Sequence, residues 1–144
     1  MSKVLILYDT STGNTEQMAQ AVAAGARAVD GVEVVLKRAR QAMSDLGNAD
    51  AIIVGSPTHS KQPSYAMKKF LSDLSQVSLK DKVGAAFGSY GWSGEAPGII
   101  EQALRDRGVR VLAKALRVRG APGEIALTRC RDLGRTVAAS IAHT

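Results

Sequence analysis

Apolar residues in this chain fall in short unbroken runs, and the runs alternate with stretches where they recur every three or four positions. Val4 to Tyr8 is an apolar run without alternation, the pattern of a strand buried on both faces. From about Asn14 to Val29, the residues Met18, Ala19, Val22, Ala23, Ala26 and Val29 share one face at helical period, and Asp30-Gly31 makes a helix-ending turn. Val32, Val34 and Leu36 then alternate with Glu33, Val35 and Lys37, which suits a strand nearer a sheet edge. Arg38 to Gly47 predicts only a short, weak helical piece. Ala51 to Val54 reads as a third strand ending at Gly55-Ser56-Pro57, and Pro63 suits the first turn of a helix that buries Met67, Phe70, Leu71 and Leu74. Val83 to Phe87 is a fourth strand, followed by a glycine-rich loop from Gly88 to Gly94. Ile99, Ile100, Ala103 and Leu104 mark a helix closed by Gly108, and Val109 to Val118 holds a fifth strand. Pro122 starts the last helix, with Leu127, Cys130, Leu133, Val137 and Ile141 on its inner face.

Strand and helix thus alternate five times through short links. That pattern predicts an α/β fold, a doubly wound five-stranded parallel sheet with helices on both faces, and residues 1–144 as a single domain. In such sheets ligands sit beyond the carboxyl ends of the strands, at the topological switch point. Three segments lie there: Thr10–Thr15, Ser56–Gln62 and Ser89–Glu95.

The first segment is the most telling. An apolar strand runs into Thr10, Ser11, Thr12, Gly13, Asn14 and Thr15, and a helix starts at once. Hydroxyls, an amide, a close-approach glycine and the free N–H groups of a helix start together suit an anion, and phosphate is the usual guest. No lysine follows a second glycine, so this is not a triphosphate loop, and no Gly-x-Gly-x-x-Gly is present. The loop holds no Lys or Arg, which fits a permanently bound monophosphate better than a transferable one. A helix capped by serine or threonine after a core strand is the plainer alternative. In the third segment, Tyr90 and the sole tryptophan, Trp92, fall in one loop of a chain that is only 4% aromatic. Flanking glycines there let the backbone bend around a flat guest; the alternative is a tryptophan plugging the end of the sheet.

The first run, with Tyr8, Thr10, Gly13, Thr15, Ala19 and Val22 in place, resembles the flavodoxin signature. The wording of all three loops narrows the likeness: Tyr-Asp-Thr, Gly-Ser-Pro-Thr-His and Gly-Ser-Tyr-Gly-Trp-Ser-Gly-Glu-Ala resemble the flavodoxin domain of flavodiiron proteins (A-type flavoproteins), as does Cys130-Arg-Asp-Leu-Gly134. The resemblance covers essentially the whole chain and implies a flavodoxin-like sheet of strand order 2-1-3-4-5. It implies FMN as cofactor, with Thr10, Ser11, Thr12, Gly13, Asn14 and Thr15 at its phosphate. Ser56, Pro57, Thr58, His59 and Ser60 would line the N5 edge of the ring, and Ser89, Tyr90, Gly91, Trp92, Ser93 and Gly94 would stack on it or serve its polar edge. His59 stands where many relatives carry an aromatic residue, and Ser60-Lys61 stands near a peptide that flips in relatives, often as Gly-Asp. Serine makes such a flip harder than glycine does. The metallo-β-lactamase-like domain that carries iron in flavodiiron proteins has no counterpart in these 144 residues, so oxygen or nitric oxide reduction does not carry over. The expected function is that of an FMN-binding electron-transfer protein, a carrier rather than an enzyme, with no catalytic residue and no metal.

Charge changes this picture. The chain carries a formal +6, and residues 101–144 hold nine basic against four acidic side chains. Flavodoxins are typically acidic. The basic third suggests redox partners with an acidic docking surface, or a separate iron protein, or else a solvated basic face with no partner. The positive field also predicts a less negative second reduction potential than in acidic relatives. Two other functions compete. One is an NAD(P)H-dependent quinone or FMN reductase on the same fold. The other is a basic nucleic-acid-binding module, motivated by Arg117-Val-Arg119 and Arg129-Cys-Arg131 but lacking any reading motif. No apolar run approaches a membrane span. A start without a signal peptide and a single cysteine, Cys130, point to the cytoplasm. Cys130 with His59 and His143 makes no convincing metal site.

Overall fold

A computed structural model describes residues 2–142. Its framework is a parallel sheet. Strand β1 (Ser2–Tyr8) lies between the edge strand β2 (Val32–Arg38) and the central strand β3 (Ala51–Gly55). Two strands of two residues each, β4 (Thr58–His59) and β5 (Gln62–Pro63), form a separate antiparallel hairpin. The sheet continues through β6 (Val83–Tyr90), and its far edge is shared by β7 (Arg110–Val111) and β8 (Leu116–Arg119). Counting β7 and β8 as one interrupted strand, the order is the expected 2-1-3-4-5.

Alternation along the central strands sends side chains to two cores. Val4 and Ile6 of β1, with Ile53 and Phe87, pack against α1 (Asn14–Arg27) and α4 (Glu124–Ile141). Leu5 and Leu7, with Ile52 and Val54, pack against α2 (Tyr65–Asp73) and α3 (Ala96–Asp106). Helices α1 and α4 touch backbone to backbone. A Cβ built on Gly134 would lie 1.9 Å from the Val22 carbonyl oxygen, and one on Gly25 equally close to that of Arg131. Cys130 is fully buried in this layer, and burial pushes its thiol up to about 11.

The short helical piece expected after Arg38 is present as two 3-10 turns, Ala39–Gln41 and Met43–Asp45. Three other expectations are corrected. Pro63 belongs to β5, and α2 begins two residues later with Ser64 as its cap, whose oxygen accepts the Met67 N–H. Proline lacks an N–H, so it sits comfortably in a two-residue edge pairing. The fifth strand breaks across residues 112–115, where Ala115 donates its N–H to the Glu101 carboxylate instead of a ladder partner. The last helix begins at Glu124 rather than Pro122.

Candidate functional site

Parallel pairing brings the carboxyl ends of β1, β3 and β6 side by side: Tyr8 aligns with Gly55, and Gly55 with Phe87. The three segments that follow enclose an open cleft of about 220 Å³. Ser11, Thr12 and Asn14 form one wall, Pro57, Thr58 and His59 the second, and Ser89, Tyr90 and Gly91 the third. Gly120, from the turn after β8, closes it. Its N–H donates to the Tyr90 carbonyl at 2.7 Å. Sequence reasoning missed Gly120; the signal was the glycine-punctuated turn that ends the fifth strand, where φ is +70°.

The first loop enters α1 through Gly13 at φ +94°, a left-handed conformation that glycine adopts at no steric cost. Gly13 donates its N–H to Thr10 Oγ1 at 3.1 Å, and no side chain caps the helix. The capping alternative is thereby overturned. The N–H groups of Asn14, Thr15 and Glu16 have no hydrogen-bond partner among the described residues. Ser11 and Thr12 are exposed, and Ser11 Oγ lies 3.3 Å from His59 Nε2. Thr15 differs: it is buried, and its hydroxyl meets that of Ser89 at 2.8 Å.

Both carboxylates near this loop are turned to other partners. Asp9 accepts from Ser64 Oγ at 2.5 Å and pairs with Arg38 at 3.3 Å. Glu16 accepts from the Tyr8 hydroxyl at 2.9 Å, and burial, then this contact, raises the phenol's pKa. A set of N–H and O–H donors with no free carboxylate among them suits a phosphate monoester.

The second loop is a hairpin with Ser60 and Lys61 at its tip. Their φ values are 51° and 66°, the left-handed pair that a tight type I′ turn demands, here met without glycine. Buried Ser56 anchors its base: the hydroxyl donates to the Pro57 carbonyl at 2.8 Å and accepts the Ser64 N–H at 3.0 Å. Thr58 Oγ1 accepts the N–H of Ala96 at 3.0 Å, which ties the hairpin to the start of α3.

In the third loop, β6 extends as far as Tyr90, which is half-buried against Gly94. Trp92 is 91% exposed and stands outside the cleft wall, so it does not plug the sheet. The N–H groups of Trp92, Ser93 and Gly94 have no partner among the described residues. Arg117 Nε donates to the Gly94 carbonyl at 2.7 Å and moors the loop to β8. The Ser93 hydroxyl, with Lys61 nearby, holds the Glu95 carboxyl below its ordinary value.

Another hollow, of about 440 Å³, lies between the 3-10 turns and α2, near Met43, Tyr65 and Phe70, away from the converging loops. Among the described residues no cluster of three or more His, Cys, Asp or Glu could hold a metal ion; His143 lies outside them.

A parallel sheet in this order, with three donor-bearing loops meeting at its carboxyl edge, defines a flavodoxin-like protein. The flavodoxin family model matches residues 6–134. A nitric oxide reductase of Moorella thermoacetica is 37% identical over 98% of this chain, which covers 37% of that protein. A flavodoxin of Aquifex aeolicus is 46% identical over 65% of this chain and 54% of its own. The solved structure of a flavodoxin from the domain Archaea superposes with a TM-score of 0.92 at 36% identity, covering 98% of this chain and 99% of its own. The chain belongs to the flavodoxin family, a family of FMN-binding electron-transfer proteins. It spans between 24% and 37% of the length of the first curated relatives it matches.

Proposed function

We propose that this chain holds FMN in the three-loop cleft and exchanges electrons with redox proteins, making and breaking no substrate bonds itself. The observation that carries this reading is the uncapped start of α1. There the left-handed Gly13 leaves the N–H groups of Asn14, Thr15 and Glu16 unpartnered beside the exposed hydroxyls of Ser11 and Thr12. These groups would hold the phosphate, with Thr10 shaping the loop through its bond to Gly13. FMN supplies the redox chemistry when bound, taking up and releasing electrons at its ring.

The residues around it bind and orient. Pro57, Thr58, His59 and Ser60 would face one edge of the ring, with Ser56 fixing their hairpin from below. Tyr90 and Gly91 offer a flat wall, Trp92 is free to fold over it, and the amides of Trp92, Ser93 and Gly94 can donate to the polar edge. Lys61 at the hairpin tip favours added negative charge in the cleft, so the second reduction potential should be less negative than in acidic flavodoxins. No described helix is long and apolar enough to cross a membrane. A single buried cysteine suits a reducing compartment, and we assign the protein to the cytoplasm. Its redox partners would be proteins with acidic surfaces, among them a separately encoded iron protein.

An absorption spectrum after FMN addition, followed by anaerobic stepwise reduction, tests the reading. Bound flavin bands, quenched flavin fluorescence and negligible turnover of NADH with quinone are expected. Absence of FMN binding overturns it, and rapid NADH–quinone turnover would make the chain a reductase instead.

A further inference from the structure

Beside the cleft lies a shallow hollow of about 580 Å³, formed by the end of β8 and the start of α4. Arg117, Arg119 and Arg129 line it, all exposed, and none pairs with a carboxylate among the described residues. Glu124, the acid at its edge, is occupied by Arg131 at 2.8 Å. Ile125 sits among the arginines with 77% of its surface exposed.

This hollow and the cleft share one turn. Arg119 lines the hollow, Gly120 lines the cleft, and Arg117 reaches back to the Gly94 carbonyl of the third loop. The patch therefore stands on the rim through which an electron would leave. The nearby carboxylates do not neutralise it. Asp9 is engaged by Arg38 and Ser64, Glu16 by the Tyr8 hydroxyl, and Asp132, one turn along α4 from Arg129, by Arg135.

We infer that this face, centred on Ile125 and ringed by Arg117, Arg119 and Arg129, docks a redox protein whose own cofactor is surrounded by carboxylates. The inference rests on the reading of the chain as an FMN electron carrier. Unpaired arginines around the exit steer an acidic partner into register and raise its rate of encounter. The exposed isoleucine offers a patch to dehydrate on contact, and a partner docked there lies next to the cleft. Nucleic acid fits less well, because a phosphate backbone has no apolar surface to lay against Ile125 and no reading motif is present.

The test uses the full FMN-loaded chain with a reduced plant-type [2Fe–2S] ferredoxin as the acidic probe and cytochrome c as the basic control. The ferredoxin rate should be high at low ionic strength and fall as salt rises, and the cytochrome rate should not. Charge reversal by Arg119→Glu with Arg129→Glu should slow the ferredoxin reaction at low salt by about tenfold or more, with FMN affinity and melting temperature unchanged. Ile125→Ser should weaken the complex at every salt concentration without altering the salt slope. A ferredoxin rate indifferent to salt and to charge reversal overturns the inference, as does tighter binding of a short DNA duplex than of ferredoxin at the same salt. If FMN does not bind, the cofactor reading is what fails. Calorimetric titration of ferredoxin into the FMN-free chain then decides the surface alone: salt-sensitive binding lost on charge reversal sustains it, and no binding overturns it.

Discussion

The hydroxyls of Thr15 and Ser89 meet at 2.8 Å across 74 residues of sequence. Both residues are buried, at 1% and 5% exposure. The bond joins the first turn of α1, where the phosphate is proposed to sit, to the end of β6, where the third loop begins. It sets the spacing between two walls of the cleft. Thr15→Val should leave Ser89 buried without its partner and cost about 1–3 kcal/mol of stability. Ser89→Ala should cost a similar amount, and the double variant less than the sum. Urea denaturation of all three measures the coupling, and FMN titration should show weaker binding in each.

Ser60 and Lys61 both hold positive φ at the hairpin tip. Rotating the peptide between them would convert the turn to one whose first central position favours glycine, which Ser60 is not. Ser60→Gly should therefore ease that rotation and widen the gap between the two midpoint potentials. Its effect on folding should stay within about 1 kcal/mol, since relief of left-handed strain opposes the greater freedom glycine gives the unfolded chain. Potentiometry on both proteins checks this, and an unchanged gap would show that the peptide does not move.

Cys130 links stability to pH. Its thiol titrates at about 11 in the folded chain against an ordinary value of 9.0. A raised acid pKa means that the unfolded chain loses its proton first. The contribution is whole below about pH 9, declines as pH rises, and is gone above about 11. Two units correspond to a loss on the order of 2–3 kcal/mol. Denaturation across that window should show the decline in the native chain and a smaller one in Cys130→Ala. The native thiol should also resist alkylation at neutral pH.

Gly134→Ala should loosen the contact between α1 and α4, because the new methyl group would press on the Val22 carbonyl. Overpacking of this kind costs about 1–3 kcal/mol. A lowered melting temperature with FMN affinity intact would place the effect in the helix layer. Loss of FMN binding alone would contradict it.

Trp92 is the sole tryptophan and stands in water at 91% exposure. Its fluorescence in the FMN-free chain should be readily quenched by acrylamide. FMN should reduce that quenching markedly as the indole covers the ring. Undiminished quenching would assign the flat wall to Tyr90 alone. Trp92→Ala should leave stability within about 0.5 kcal/mol.

The local pattern of residues determined a great deal here. The unbroken apolar runs at Val4–Tyr8 and Ala51–Val54 mark strands buried on both faces, since that burial requires apolar side chains on each side. The three loops were legible because a parallel sheet delivers successive strand ends to one edge. Only the tertiary structure decided the division of labour within them. Sequence treats Thr10, Ser11, Thr12 and Thr15 alike as hydroxyls; packing turns Thr15 inward to Ser89 and leaves Ser11 and Thr12 outward. It also turns Asp9 and Glu16 to partners outside the first loop, stands Trp92 in solvent, brings Gly120 to the cleft, and sets at its rim three arginines with no carboxylate partner among the described residues. Periodicity reports which face of an element is buried. It does not report which residues from distant elements meet, because those contacts depend on strand order and register across the whole sheet.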